Sequence, residues 1–149
     1  MPKITLTEQF AATPERAFAA LTDFAALPGA ISGIKKIELL TPGPAGLGTR
    51  IRETRTMYGR EAVEEMQVTE WNPPRAYTLE ARSHGAHYVT RHTFTARDGG
   101  TEVTLDFAAT PQTFGAHIMA FMMRRMIKGV RSLLAKDLRE AKAAAERRA

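Results

Sequence analysis

Between Gly48 and Phe107 the sequence alternates apolar and polar residues, broken by short turn-forming pairs, and the pairings those turns imply agree with one another. With Tyr58-Gly59 as a two-residue turn between strands 48–57 and 60–71, Ile51 faces Met66, Glu53 faces Glu64 and Arg55 faces Ala62, while Arg52 meets Glu65 and Thr56 meets Glu61 on the other face. Across Asn72-Pro73-Pro74-Arg75, Val68 faces Leu79 and Met66 faces Ala81. Across His84-Gly85, Tyr77 faces His92, Leu79 faces Thr90 and Ala81 faces Tyr88. Across Gly99-Gly100, a strong hairpin signal, Ala96 faces Val103, Phe94 faces Leu105 and His92 faces Phe107. Every hairpin puts apolar residues on the same side, and a slip of one residue would throw a strand's apolar set onto the wrong face. The expectation is an antiparallel sheet with one face on a core and one in water.

The flanking segments supply what covers that face. Residues 4–10 alternate with period two and read as a strand, as do residues 34–40. Between them Thr13 is placed to cap a helix begun by Pro14, with Ala17, Phe18, Leu21 and Phe24 as its apolar stripe. A second short helical turn is expected over 25–31, interrupted by Pro28-Gly29, and residues 41–46 form a turn-rich loop. From Thr113 the pattern becomes helical: Phe114, Ile118, Phe121, Met122, Met126, Val130, Leu133, Leu134 and Leu138 recur at intervals of three and four. At about 1.5 Å per residue that helix would run roughly 50 Å, its last turns, 141–149, fraying or projecting. The expected fold is α+β, a curved antiparallel sheet wrapped around a long C-terminal helix, with two short helices after the first strand. At 149 residues and without repeats, the chain reads as one domain.

Composition removes several functions. With no cysteine there are no disulfides and no thiolate metal sites. The first residues, Met1 to Thr5, lack a charged-then-apolar signal pattern, and no apolar run approaches the roughly 18 residues of a membrane span. A soluble, cytoplasmic protein without stable membrane insertion is expected. The net charge of +5 suggests nucleic acid until it is located. From Arg124 onward there are nine basic and three acidic residues, a net of +6, whereas the remainder holds twelve basic and thirteen acidic residues, a net of −1. The charge is that of one helix, read as a solvated face with cations near its negative dipole end; no nucleic-acid motif accompanies it. Phosphate loops, dinucleotide glycine fingerprints, His-Glu-x-x-His and nucleophile elbows are absent from the sequence.

Three local motifs join this order of elements: Ala12-Thr13-Pro14-Glu15-Arg16-Ala17-Phe18 followed by Leu21-Thr22-Asp23; Gly48-Thr49-Arg50-Ile51-Arg52-Glu53; and Val68-Thr69-Glu70-Trp71-Asn72-Pro73-Pro74-Arg75. Together they resemble the START-like, or SRPBCC, superfamily with its helix-grip fold, and most nearly its bacterial polyketide cyclase/dehydrase-like group. The resemblance spans nearly the whole chain. It implies a single START-like domain over 1–149 with a deep cavity between sheet and long helix, of the kind used across the family for lipids, sterols, plant hormones and polyketides. These motifs are a helix cap, a strand entry and a turn, so they speak to fold, and fold does not fix function.

The candidate site residues come from the inward face. Glu53 and Glu64 fall opposite each other, with Arg55 two residues along and placed to neutralise one of them. A buried pair of this kind would hold a proton near neutral pH and suit acid/base work; a water-filled end of the sheet would leave an ordinary Glu/Arg/Glu network. His92 lies inward opposite Tyr77, as a core histidine, a ligand donor or a general base. Tyr88 and Thr90 share its face, as do Leu79 and Phe94, while His84 and His87 flank a turn and are expected to be exposed. Met119, Met122, Met123 and Met126 on the long helix and Met57 and Met66 on the sheet read as core filling or as a plastic cavity lining. No cofactor and no metal are expected.

The leading expectation is therefore a binding protein for a small, mainly hydrophobic molecule with a polar handle, its partners otherwise limited to a weakly held second copy. Glu53, Glu64 and His92 would act in the alternative, a metal-independent cyclase or dehydratase on a polyketide-like substrate. A third reading is a partner-binding protein that uses the basic C-terminal helix.

Overall fold

The computed structural model describes residues 3–57, 59–83 and 85–148, without the side chains at positions 116, 119, 120, 122, 123, 125 and 126. In chain order the elements are β1 (Lys3–Phe10), α1 (Pro14–Thr22), a 3-10 turn (Phe24–Ala26), α2 (Leu27–Ala30), β2 (Ile34–Leu39), β3 (Arg50–Met57), β4 (Arg60–Asn72), β5 (Ala76–Ser83), β6 (Ala86–Arg97), β7 (Gly100–Pro111) and α3 (Phe114–Arg148). The strands form one antiparallel sheet in the order β1-β7-β6-β5-β4-β3-β2. The sheet curves around α3, which makes this the helix-grip α+β fold. Thr13 caps α1 as its sequence position required: its hydroxyl accepts from the Arg16 amide at 3.2 Å.

The β3–β4 and β5–β6 pairings match those expected, including Glu53 opposite Glu64 and Tyr77 opposite His92. The β6–β7 hairpin differs. Its turn is Asp98-Gly99, both with positive φ (53° and 77°), so that Phe94 pairs with Val103 and His92 with Leu105. Aspartate tolerates the left-handed conformation that a tight primed turn needs, which releases Gly100 into the strand. There it is required for space, since an added Cβ would overlap the Phe10 carbonyl oxygen of β1. The slip is of two residues, so every side chain keeps its face.

A second difference lies in β4. Its register against β5 shifts between Val68 and Glu70. The bulge brings Trp71 onto the face Val68 already occupies, opposite Tyr77. There Phe18 of α1 meets Trp71, Tyr77 and Phe94 edge-on, with ring centroids 5.1, 5.7 and 5.3 Å away. These rings and the residues around them make one end of the molecule solid.

The last turns of α3 belong to that solid end and do not fray or project. Ala141 and Ala145 are buried in the same cluster as Ala17 and Ala20 of α1. Small side chains on both helices let them lie close. Glu146 accepts from the Ala11 amide at 2.8 Å, and Arg148 pairs with Asp23 at 2.7 Å. The opposite end of α3 carries the exposed apolar residues: Phe114, Ile118 and Phe121 are largely in solvent.

Candidate functional site

Beyond the aromatic plug the sheet and α3 diverge and leave a cavity of about 480 Å³. Inward residues of β3 to β7 form its floor, Val130, Leu133, Leu134 and Asp137 of α3 its roof, and Leu21, Phe24 and Leu27 one wall. The lining is mainly aliphatic and aromatic, as small-molecule sites are.

Glu64 and Glu80 also lie on the lining, and a bonded group of charges interrupts it. Arg55 donates from Nε to Glu53 Oε1 at 2.7 Å and from Nη2 to Asp137 Oδ2 at 3.0 Å. Glu53 and Arg55 are two residues apart on β3 and so share its inner face. Asp137 reaches them from α3, three and four residues beyond Leu134 and Leu133 on the same helix face. The side chains of Glu53, Arg55 and Asp137 are only 11%, 13% and 12% exposed. Burial pushes the Asp137 carboxyl up, against the pull of Arg55 and with the help of Glu53 and Glu140. Burial opposes the charge of Arg55, but Glu53 and Asp137 outweigh it and raise its pKa. Two carboxylates thus share one guanidinium at the cavity wall.

His92 stands elsewhere on the floor. Its ring stacks on Tyr77, with centroids 4.7 Å apart and 5° between planes. Burial pulls its pKa down to about 4, against a weaker opposing effect of Asp106, so the ring is neutral at pH 7. Its Nδ1 is buried without a hydrogen-bond partner among the described residues. Burial raises the pKa of Tyr77; that of Tyr88 is raised by burial and then by the Glu64 carboxylate. No group of three or more His, Asp or Glu side chains among the described residues is placed to hold a metal ion.

A family model described as polyketide cyclase / dehydrase and lipid transport matches residues 1–146. The chain belongs to that family. No curated protein matches the sequence. Solved structures share the fold over nearly the whole chain. TTHA0849 from Thermus thermophilus is 17% identical, with 97% of each chain covered and a TM-score of 0.77. The Zhui aromatase/cyclase from Streptomyces sp. R1128 is 18% identical, with 99% of this chain and 94% of that one covered and a TM-score of 0.77. A START superfamily protein from Mycobacterium smegmatis is 17% identical, with 98% and 95% covered and a TM-score of 0.70. Among the described residues, no helix is long and apolar enough to cross a membrane.

Within this family frame, Glu53, Arg55, Glu64, Met66, Tyr77, Leu79, Tyr88, Thr90 and His92 all line this cavity, as does Met57. Phe94 does not: it shares their face of the sheet but is covered by Phe18 and lies in the core. The side chains of Met119, Met122, Met123 and Met126, with Tyr58 and His84, fall outside the described residues. His87 is not exposed as expected; its Nε2 lies 2.6 Å from Glu80 Oε1 and its side chain is 22% exposed. Asp137 is the residue that strand pairing missed. Its spacing from Leu133, Leu134 and Ala141 places a carboxylate on the apolar face of α3, and that was the available signal.

Proposed function

We propose that this protein binds a small, mainly hydrophobic molecule through one polar handle, with the body against the apolar lining and the handle at the buried charges. The carrying observation is a cavity of about 480 Å³ whose mainly apolar lining is broken by a shielded Glu53–Arg55–Asp137 cluster. Buried charges of this kind are costly to maintain and contribute little to net stability, which favours a role toward a bound molecule. The family's lipid-transport and cyclase members give such a cavity two precedents. On this reading the protein is cytoplasmic, takes no nucleic acid, and leaves the basic side chains of α3 solvated. The test is uptake of Nile red, followed by fluorescence, together with native mass spectrometry for a co-purified molecule. Thr90→Trp, which fills the cavity from its floor, should abolish uptake while the urea midpoint stays within the range of other surface and cavity variants. Equal uptake by wild type and Thr90→Trp would refute the assignment of the site.

A second reading is a cofactor-independent cyclase or dehydratase. It is favoured by a carboxyl group held toward its protonated form, Asp137, and a neutral imidazole, His92, on one chamber. A linear poly-β-keto thioester should then be cyclised by the wild type and spared by Glu53→Gln, Glu64→Gln, Asp137→Asn and His92→Gln. Turnover retained in all four variants would end this reading.

A further inference from the structure

Among the described residues Arg55 is the one charged cation on the cavity wall, because His92 is neutral there. The guanidinium is already committed along two of its nitrogens, Nε to Glu53 and Nη2 to Asp137. It engages one oxygen of each carboxylate, Oε1 and Oδ2, and a carboxylate offers two acceptor oxygens. With both carboxylates ionised the cluster carries one negative charge beyond its own cation, a surplus that adds to burial in pushing Asp137 toward its protonated form, in a setting where each member is nearly nine-tenths shielded. We propose that the handle of the ligand is a hydrogen-bond donor, an ammonium or a hydroxyl group, and not a carboxylate.

The inference rests on the reading of the cavity as a ligand site and narrows the chemistry of what enters it. A donor handle gives the carboxylates a second partner, and an ammonium also cancels the surplus charge. An anionic handle would add a third negative group beside one guanidinium and lose its hydration in doing so.

The test uses three probes with one body: decylamine, decan-1-ol and decanoate, each displacing Nile red from the unaltered protein at pH 7. Half-displacement by the amine and the alcohol should need at least tenfold less probe than by decanoate. Asp137→Asn and Glu53→Gln, which each remove one negative charge, should narrow that gap at least threefold. Decanoate binding as well as or better than the other two would overturn the inference, as would an unchanged gap in both variants. Dye uptake with no preference among heads refutes only the donor handle. Absence of dye uptake, with no thermal protection by any of the three probes, refutes the ligand site itself.

Discussion

Removing Arg55 should cost far more stability than removing Asp137, although each removal breaks the same ion pair. In Arg55→Met the charge-assisted bonds at 2.7 and 3.0 Å disappear, and Glu53 and Asp137 are left facing each other without a cation. Breaking a buried pair in this way costs about 3–5 kcal/mol. With side chains 11–13% exposed, some water reaches the group, so the low end of that range, about 3 kcal/mol, is expected. In Asp137→Asn the cluster becomes one guanidinium with one carboxylate, the amide still accepts from Arg55, and the cost should stay within about 1 kcal/mol. The pH dependence has a definite sign. The Asp137 pKa is raised on folding, so its contribution is most favourable below about 3.9 and is lost as pH rises through the folded value. Asp137→Asn should remove that decline, whereas Arg55→Met should steepen it. Urea unfolding between pH 4 and 8 reads both quantities, with unchanged m-values as the control for two-state behaviour. Equal losses in the two variants at pH 7 would refute the charge count on which this reasoning stands.

Two further outcomes are expected. His92 has its pKa lowered on folding to about 4, so its contribution is complete above about 6.5 and is lost as pH falls toward 4, by about 3 kcal/mol in all; His92→Gln should lack this component in urea titrations, and the wild-type ring should show no NMR titration between pH 6 and 8. Gly100→Ala should cost about 2 kcal/mol by forcing β1 away from β7, read as a lower urea midpoint with the earliest loss of amide protection in β1.

The fold was legible because its information is local and repeated. Each hairpin of the sheet carries its own apolar alternation, and several agreeing patterns leave few arrangements. Even the misplaced turn at Gly99-Gly100 does no harm to the site, since moving it to Asp98-Gly99 shifts partners by two and conserves the face of His92, Phe94 and Leu105. What was not legible depends on contacts between distant elements. The bulge after Val68 has no signature beyond ordinary strand residues, yet it delivers Trp71 to Phe18. Phe94 alternates in phase with the cavity residues and is withdrawn from them only because α1 lies over it. The cluster on Arg55 is half visible in the sequence. Strand pairing finds Glu53, Arg55 and Glu64, but the third member of the bonded group comes from α3, where Asp137 reads only as one of that helix's charges. The fraying expected from Ala141 onward leaves out the packing of Ala141 and Ala145 with α1, a contact between distant elements.

The unequal ends of α3 bear on how the protein would exchange its contents. At the Ala145 end, lifting the helix would expose a fully buried cluster and break the bonds of Glu146 and Arg148. At the Phe114 end, Phe114, Ile118 and Phe121 are largely exposed, the kind of surface at which local opening begins. Amide hydrogen exchange along α3 should therefore form a gradient, fast before about Lys128 and slow after Asp137. On the proposed ligand-binding reading, the residence time of a bound molecule would follow the opening rate of the fast half, so that it could be exchanged many times between unfolding events.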